Sequence, residues 1–326
     1  MVVESALYWT LAAPWGCLSV WRPVNELDLL FRTDRKTFLR RHFVEGRGRV
    51  FGRPLYSALT GLELAAEQTA DRLLGQDHGD RSHLYRELTA VIKVFERHEA
   101  LERLLASIRR FYPELQIIVV DDSRKPQPQP GVQTITLPFN SGLAAGRNAG
   151  VSAVTTPYVL ILEEDFVFYR HTNLARALAV LQGEPRIDIM GGKVINLPLY
   201  KVTDYRKIRV MPTQAKATMP EGSKLAGLPV YDIVPNFFIA RSERLREVLW
   251  TESLRIEEHG DFFTRAKGVL TSVYNQELRC LHVRTLFDQP YLSHRYDLAE
   301  SYDYYLTRYY GFERPSPAEE SDEMPE

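Results

Sequence analysis

The sequence predicts an α/β fold whose centre is a doubly wound, mostly parallel sheet with helices on both faces. Predominantly apolar runs over residues 89–95 and 116–120, and a continuous one over residues 158–162, are typical of strands that are buried on both faces. Segments with apolar residues at helical spacing lie between these runs, and polar residues follow each run. Because strands alternating with helices favour a parallel sheet, we expect these polar residues to meet at its carboxyl edge.

Each element is predicted from its apolar spacing and from the turn residues beside it. Apolar residues over 101–111 recur at helical spacing, Pro113 ends that helix, and a glycine-punctuated turn over 140–148 opens the next. Further strands are predicted over 132–137, 187–195, 205–211, 237–240 and 277–283, and further helices over 62–74, over 242–250, from Phe262, and over the tyrosine-rich stretch 302–310. The second half of the fold is therefore expected to be mixed.

The predicted domain organisation has three parts. Residues 1–80 form a small, mainly helical N-terminal extension of unassigned role, which ends in a polar linker. Residues 81–312 form the main α/β domain, and residues 313–326 are an acidic, proline-containing tail that is expected to be disordered.

Composition and charge exclude some classes of protein. The chain is 44% apolar and 25% charged, which is ordinary for a globular protein, and its formal net charge of -1 argues against nucleic-acid binding. Two cysteines without metal-type spacing are typical of a reducing compartment, so a cytoplasmic location is expected. The uncharged segment 5–21 is short and is interrupted by Pro14 and Gly16. A Golgi-type lumenal location is therefore less favoured, because no clear signal anchor is present, while peripheral membrane association stays open.

Three consecutive acids, Glu163, Glu164 and Asp165, follow the third apolar run. Crowded like charges repel and carboxylates resist desolvation, so a buried strand needs a reason to end in this way. A divalent cation supplies one, because it takes oxygen ligands and bridges carboxylates to substrate phosphates. A solvated strand end near a helix N-terminus is the alternative. The polar pairs at 96–97 and 121–122 lie at the ends of two further predicted strands. Polar residues at three strand ends favour a functional site over a chance arrangement.

Several motifs occur in a fixed order along the main domain. A strand with a short polar turn is followed by VVDDS, by GLAAGRN and by an apolar strand with a DxD-like triplet. This order resembles the nucleotide-sugar half of GT-A glycosyltransferases of the family-2 type. The stretches FERHEALERLLASIRRFYPELQIIVVDDS, GLAAGRNAGVSAVTTPYVLILEEDFVF and VPNFFIARSERLREV look like the ganglioside-type β-1,4-N-acetylgalactosaminyltransferases. The resemblance implies a GT-A fold with a nucleotide-binding half, 88–168, and an acceptor and catalytic half, 169–312.

The resemblance also implies a nucleotide site at the carboxyl edge. Phe95 would pack near the nucleobase, and Asp122, or alternatively Asp121, would accept a hydrogen bond from the uracil imide N–H. Arg147 would contact the nucleotide or its phosphates, and Glu163 would lie near the ribose. A turn or helix cap is the structural alternative for the two aspartates, and an ion pair is the alternative for Arg147.

A cation is part of what the resemblance implies. Glu164 and Asp165 would set up Mn²⁺ or Mg²⁺, with Asp165 as the ligand, and His282 corresponds to a C-terminal metal ligand. The usual DxD triplet reads Glu163-Glu164-Asp165 here, so its first acid is longer by a methylene. A lone histidine at a strand end also occurs as a purely structural residue.

The resemblance implies that the catalytic base lies just before the aromatic helix that begins at Phe262. Register with the relatives puts His259 at that position, and Asp261 and Glu258 either orient the imidazole or take the proton themselves, with Asp261 as the second choice. An imidazole titrates near neutrality without perturbation, which suits a base. A helix N-terminus furnished with acids is the structural alternative. Asn236 would border the donor sugar.

These expectations define an inverting, metal-dependent glycosyltransferase that moves a sugar, GalNAc by resemblance, from a UDP-sugar to a glycan or glycolipid acceptor. Two alternatives stay open. One is a catalytically impaired GT-A fold that acts as a binding or scaffold module, because the first acid of the triplet is altered. The other is a sugar-nucleotide nucleotidyltransferase, which also places acids on a parallel sheet. A P-loop enzyme and a Rossmann dehydrogenase are disfavoured, since neither GxxxxGK[ST] nor a GxGxxG after the first strand occurs.

Overall fold

The computed structural model describes residues 46–74, 81–254, 258–288, 291, 294 and 299–311. The chain divides into two compact units, residues 1–57 and 58–326. The segment 5–21, the linker at 76–80 and the tail at 313–326 lie outside the described residues, and the three-part domain organisation stays a prediction. Within the described ranges, no helix combines the length and the apolar content that crossing a bilayer requires.

The described part of the chain contains helices and strands in alternation through its first half. The helices are α1 (Arg49–Leu74), α2 (Ser82–Glu87), α3 (His98–Phe111), α4 (Leu143–Ala153), α5 (Leu174–Gly183), α6 (Ser242–Arg246), α7 (Glu258–Ala266) and α8 (Ala299–Tyr310). The strands are β1 (Leu88–Val94), β2 (Gln116–Asp121), β3 (Gln133–Thr136), β4 (Tyr158–Glu163), β5 (Phe166–Val167), β6 (Ile189–Leu197), β7 (Lys201–Val202), β8 (Lys224–Leu225), β9 (Leu228–Pro229), β10 (Phe238–Arg241) and β11 (Ser272–Val283).

One nine-stranded sheet organises these elements, in the order β3-β2-β1-β4-β10-β6-β11-β5, with β7 paired to β6. Strands β3, β2, β1 and β4 are all parallel. Strand β10 is antiparallel to β4 and to β6, while β11 runs parallel to β6 and antiparallel to β5. The predicted α/β fold of GT-A type is therefore confirmed, with a parallel first half and a mixed second half.

The core has two layers because the central strands are buried on both faces. Along β1, Ala90 and Ile92 join the cluster that contains the apolar side of α3, whereas Val91 joins the cluster that contains α4. The same alternation occurs along β4, where Leu160 and Ile161 face opposite layers. This two-sided burial explains why both strands are predominantly apolar in the sequence.

Helix α4 lies very close to the sheet because two of its residues are glycines. A Cβ atom at Gly146 would lie 2.4 Å from Cγ of Lys93, and one at Gly150 would lie 2.4 Å from Cγ1 of Val91. Such distances are far below van der Waals contact, so only glycine fits at either position. This close approach sets the position of Arg147, which follows Gly146 on α4.

Three predicted boundaries in the second half need correction. The strand expected over 205–211 is a short 3₁₀ turn at Tyr205–Lys207 that Asp204 caps by accepting a hydrogen bond from the Arg206 N–H. The helix expected over 242–250 ends at Arg246, because Trp250 N donates to the side chain of Asn148 and Leu249 adopts a φ of 45°. The last strand begins at Ser272 and not at Glu277. A bulge between Asn275 and Arg279 interrupts its regular pairing with β6, and the prediction recognised only the part after this bulge.

The register of the parallel strands brings the polar strand ends together. Lys93 on β1 lies opposite Glu163 on β4, and Val94 lies opposite Asp121 on β2. The residues that follow these positions therefore emerge at one edge of the sheet. The convergence expected from the sequence is confirmed.

The close approach of α4 predicts opposite effects for two glycine substitutions. Gly150→Ala should lower the free energy of unfolding by about 1 to 3 kcal/mol, because the added methyl collides with Val91. Gly61→Ala on α1 is the matched control, since nothing lies within 4 Å of a Cβ there. It should stabilise by about 0.5 to 1 kcal/mol through helix propensity. Urea unfolding measures both, and equal effects would contradict the steric account.

Candidate active site

Arg97 neutralises the acidic triplet from the end of β1. Its guanidinium donates to Oε1 of Glu164 from Nε at 2.9 Å and from Nη2 at 2.6 Å, and to Oδ2 of Asp165 from Nη1 at 2.9 Å. It also donates to Oγ1 of Thr285 at 2.8 Å and lies 4.0 Å above the ring of Tyr291. Glu164 and Asp165 are each only 4% exposed, so this internal cation offsets much of their desolvation.

Strand pairing places His282 beside Asp165. The short strand β5 begins directly after the triplet and pairs with β11, so that Phe166 lies opposite His282. The carbonyl of Asp165 also accepts a 2.9 Å hydrogen bond from the Val283 N–H. As a result, Nε2 of His282 lies 3.1 Å from Oδ1 of Asp165. The predicted metal-ligand pair is thus brought together.

The pKa shifts of Asp165 and His282 are those of a buried ion pair. Burial alone would raise the pKa of Asp165, but His282 and Arg97 together hold it well below its usual range. Burial alone would lower the pKa of His282, and Asp165 more than offsets this, so the pKa is raised. Ligand atoms of Glu163, Asp165 and His282 lie within 4.8 Å of one another. Two carboxylates and an imidazole are a donor set that fits Mn²⁺ or Mg²⁺.

The two aspartates at the end of β2, Asp121 and Asp122, are fully buried and already have protein partners. Oδ1 of Asp122 lies 2.6 Å from Nζ of Lys93, and its Oδ2 accepts a 2.9 Å hydrogen bond from the Gly142 N–H. Oδ2 of Asp121 lies 2.8 Å from Nε2 of His98, and Oδ1 accepts from the Ser123 N–H. Burial would raise the pKa of Asp121, but these hydrogen bonds lower it. Recognition of uracil by either carboxylate stays a prediction. It requires one of these partners to give up its hydrogen bond to the carboxylate.

Phe95 lies in an aromatic cluster at the same edge. Its ring centroid is 5.6 Å from Phe139, 5.3 Å from His294 and 6.5 Å from Tyr291, and only 5% of the residue is exposed. Nζ of Lys93 lies 4.9 Å from the Phe95 centroid. Burial lowers the pKa of Lys93, while Asp122 opposes that shift. An aromatic surface is therefore present where the nucleobase is predicted.

A second network joins α4, β4 and the start of α7. Arg147 donates from Nη1 to Oε1 of Glu258 at 2.6 Å and from Nη2 to Oε1 of Glu163 at 3.3 Å. Asn236 donates to the same Glu163 oxygen at 2.9 Å, and its own Oδ1 lies 2.5 Å from Nδ1 of His259. Glu163 therefore belongs both to the possible cation site and to the group of candidate bases.

The three candidate bases have different surroundings. Asp261 accepts hydrogen bonds from Thr251, Arg265, Tyr304 and Tyr309 at 2.6 to 2.9 Å, which fills both of its oxygens. Burial, with Arg147 as a second cause, lowers the pKa of His259 to about 3. Nδ1 of His259 lies 2.5 Å from Oδ1 of Asn236, and Glu258 accepts a hydrogen bond from Arg147. The catalytic roles of all three residues stay predictions.

Three polar residues at this edge were not assigned a role from the sequence. From the sequence, Arg97 was identified only as one residue of the polar pair after the first strand. A positive charge at that position can neutralise acids at the end of a neighbouring strand, which is the signal that could have assigned its role. Lys93 interrupts an otherwise apolar strand, which is a signal that a buried carboxylate lies nearby. Asn196 lies opposite His282 in the β6–β11 pairing and gave no signal, because that register is not readable from either strand alone.

The fold is an α/β domain of GT-A type, with acidic side chains gathered at the carboxyl edge of its parallel strands. Residues 89–249 match the model of the family described as glycosyl transferase family 2, so the chain carries a glycosyltransferase family 2 domain. The chain is 39% identical over 195 residues to rat beta-1,4 N-acetylgalactosaminyltransferase 1, which covers 56% of this chain and 36% of that protein. It is 32% identical over 215 residues to mouse beta-1,4 N-acetylgalactosaminyltransferase 2, with 63% and 40% covered.

The matched regions leave much of those relatives outside the comparison. The chain spans well under half the length of either curated protein. Among solved structures, S. aureus TarS in complex with UDP-GlcNAc aligns over 73% of this chain and 76% of its own, at 14% identity and a TM-score of 0.48.

Removing the internal cation should destabilise the fold. Arg97→Met leaves Glu164 buried without its partner, so the free energy of unfolding should fall by about 3 to 5 kcal/mol. Urea unfolding measures the loss, and adding Glu164→Gln to Arg97→Met should recover part of it. Arg186→Met is the control, because that side chain is 64% exposed in its pair with Glu184. A loss below about 1 kcal/mol in Arg97→Met would contradict the assigned role.

Proposed function

We propose that this chain is an inverting, metal-dependent glycosyltransferase that moves GalNAc from UDP-GalNAc to a glycan or glycolipid acceptor. The proposal rests on one observation: Oδ1 of Asp165 and Nε2 of His282 face each other across 3.1 Å at the carboxyl edge of the sheet. The family match over residues 89–249 and the names of the curated relatives support the donor class and the sugar. Within the proposal, residues 88–168 bind the nucleotide and residues 169–312 supply the acceptor side.

Three residues would hold the cation: Asp165, His282 and Glu163. A bound divalent cation neutralises the diphosphate as it leaves. Arg97 keeps Asp165 oriented through Oδ2, so its other oxygen faces His282. Phe95 offers a ring on which a planar base can stack, and Arg147 adds positive charge next to Glu163. The chain thus binds and orients the donor from several strand ends at once.

Glu258 is our first candidate for the base, with His259 and Asp261 as the alternatives. In an inverting transfer, the acceptor oxygen forms a bond to the anomeric carbon while the bond from that carbon to the diphosphate oxygen breaks on the opposite face. The hydroxyl proton passes to the base in the same step. Arg147 holds Oε1 of Glu258, which leaves Oε2 to accept the proton. His259, with a pKa of about 3, would hold that proton too weakly near neutral pH.

One observation favours the alternative of a non-catalytic binding module. Arg97 already pairs with two acids of the triplet, so part of the negative charge that would attract a cation is offset. A module of this kind would bind UDP without turnover. Binding of UDP that does not depend on Mn²⁺, together with no product from any UDP-sugar, would favour it over the transferase.

The activity is tested by product mass. The chain is incubated with Mn²⁺, with each of several UDP-sugars, and with a panel of glycan and glycolipid acceptors. We expect UDP release and a mass gain of one N-acetylhexosamine with UDP-GalNAc as donor, abolished by chelation of the metal. Nucleotide monophosphate transfer without a saccharide product would instead identify a nucleotidyltransferase.

The base is tested by three substitutions at the start of α7. Glu258→Gln keeps an acceptor for Arg147 but removes the proton acceptor, so kcat should fall about 10²- to 10⁴-fold with UDP affinity unchanged. Asp261→Asn should lower thermal stability and change kcat far less, because the amide nitrogen that replaces Oδ2 can no longer accept the hydrogen bonds from Thr251 and Arg265. Retained turnover in Glu258→Gln, with a large loss in His259→Ala, would move the role to His259.

A further inference from the structure

Asn196 lies near the end of β6, opposite His282 in the parallel pairing of β6 with β11. Its side-chain oxygen is 2.9 Å from Nδ1 of His282, and its side-chain nitrogen donates a 3.0 Å hydrogen bond to the carbonyl of Lys201. The contact with Lys201 fixes the direction of the amide, because a carbonyl oxygen can only accept. The oxygen of Asn196 is therefore the atom that faces the imidazole.

This direction determines which ring nitrogen of His282 carries a hydrogen. Since Oδ1 of Asn196 is only an acceptor, Nδ1 of His282 must be the donor. Nε2 is then the nitrogen that faces Oδ1 of Asp165, at a distance of 3.1 Å. An imidazole nitrogen and a carboxylate oxygen that face each other across 3.1 Å are suited to bind one cation together.

We infer that Asn196 is a positioning residue for a divalent cation, because it holds His282 in the orientation and tautomer that present Nε2 to the ion. The inference rests on the proposed function, to which that cation belongs. Histidines that bind a metal commonly donate their other N–H to an oxygen acceptor, and loss of that acceptor typically weakens metal binding 10- to 100-fold. Asn196 acts through His282 and has no assigned contact with substrate.

Two substitutions at position 196 isolate the acceptor. Asn196→Ala and Asn196→Asp both lose the amide nitrogen that bonds to Lys201, but only Asn196→Asp keeps an oxygen opposite Nδ1. Mn²⁺ is titrated into the full chain and free ion is followed by electron paramagnetic resonance. We expect Asn196→Ala to bind Mn²⁺ about 10- to 100-fold more weakly than the unsubstituted chain, and Asn196→Asp to bind it within about threefold.

Two further variants complete the design. Val202→Asp adds a carboxylate on β7, where Val202 is register-paired with Ile195 and therefore faces away from Asn196. It controls for the charge that Asn196→Asp introduces and should leave the affinity unchanged. His282→Ala defines the affinity that remains without the imidazole, and thermal unfolding of every variant verifies that it is folded.

The outcomes separate the inference from the proposed function. If Asn196→Ala binds Mn²⁺ as tightly as the unsubstituted chain, or if both variants at 196 are equally weak, Asn196 does not position the ligand, while the proposed function stands. If His282→Ala binds as tightly as the unsubstituted chain, the cation assignment of the proposed function fails, and the inference fails with it.

Discussion

The burial of negative charge at the end of β4 is the constraint on which the rest of this edge depends. Glu164 and Asp165 are almost inaccessible to solvent, and Glu163 lies beside them. Carboxylates in such surroundings need compensating charge and hydrogen bonds. Arg97 supplies both from the neighbouring strand, and His282 supplies a further partner from β11. Strand order, in which β4 lies next to β1, is therefore also what places the Arg97 guanidinium against Glu164 and Asp165.

Two polar networks meet at this edge and share one residue. The first contains Arg97, Asp165 and His282, and the second contains Arg147, Asn236 and the start of α7. Glu163 belongs to both, because its carboxylate accepts from Arg147 and Asn236 and also lies within reach of the Asp165–His282 pair. The carboxylate of Glu163 therefore connects the network on the proposed donor side with the network on the proposed acceptor side.

Much of the first half could be predicted from the sequence, because buried parallel strands leave long apolar runs. Strands β1, β2 and β4 were expected within a residue or two of where they lie, as was the convergence of their polar ends. The errors fall where a tertiary contact overrides the local pattern. Helix α6 ends before its predicted end because the side chain of Asn148 forms hydrogen bonds with the backbone N–H and C=O of Trp250. Strand β11 is longer than predicted because a bulge interrupts its regular pattern.

The shared position of Tyr291 has a consequence for how ligands reach this edge. Its ring covers the guanidinium of Arg97 on one side and lies near Phe95 on the other. A flat molecule that displaced this ring in order to stack on Phe95 would also remove the aromatic cover of Arg97, which would still hold the acids. The aromatic cluster and the charges at the end of β4 therefore share one side chain, the phenol of Tyr291.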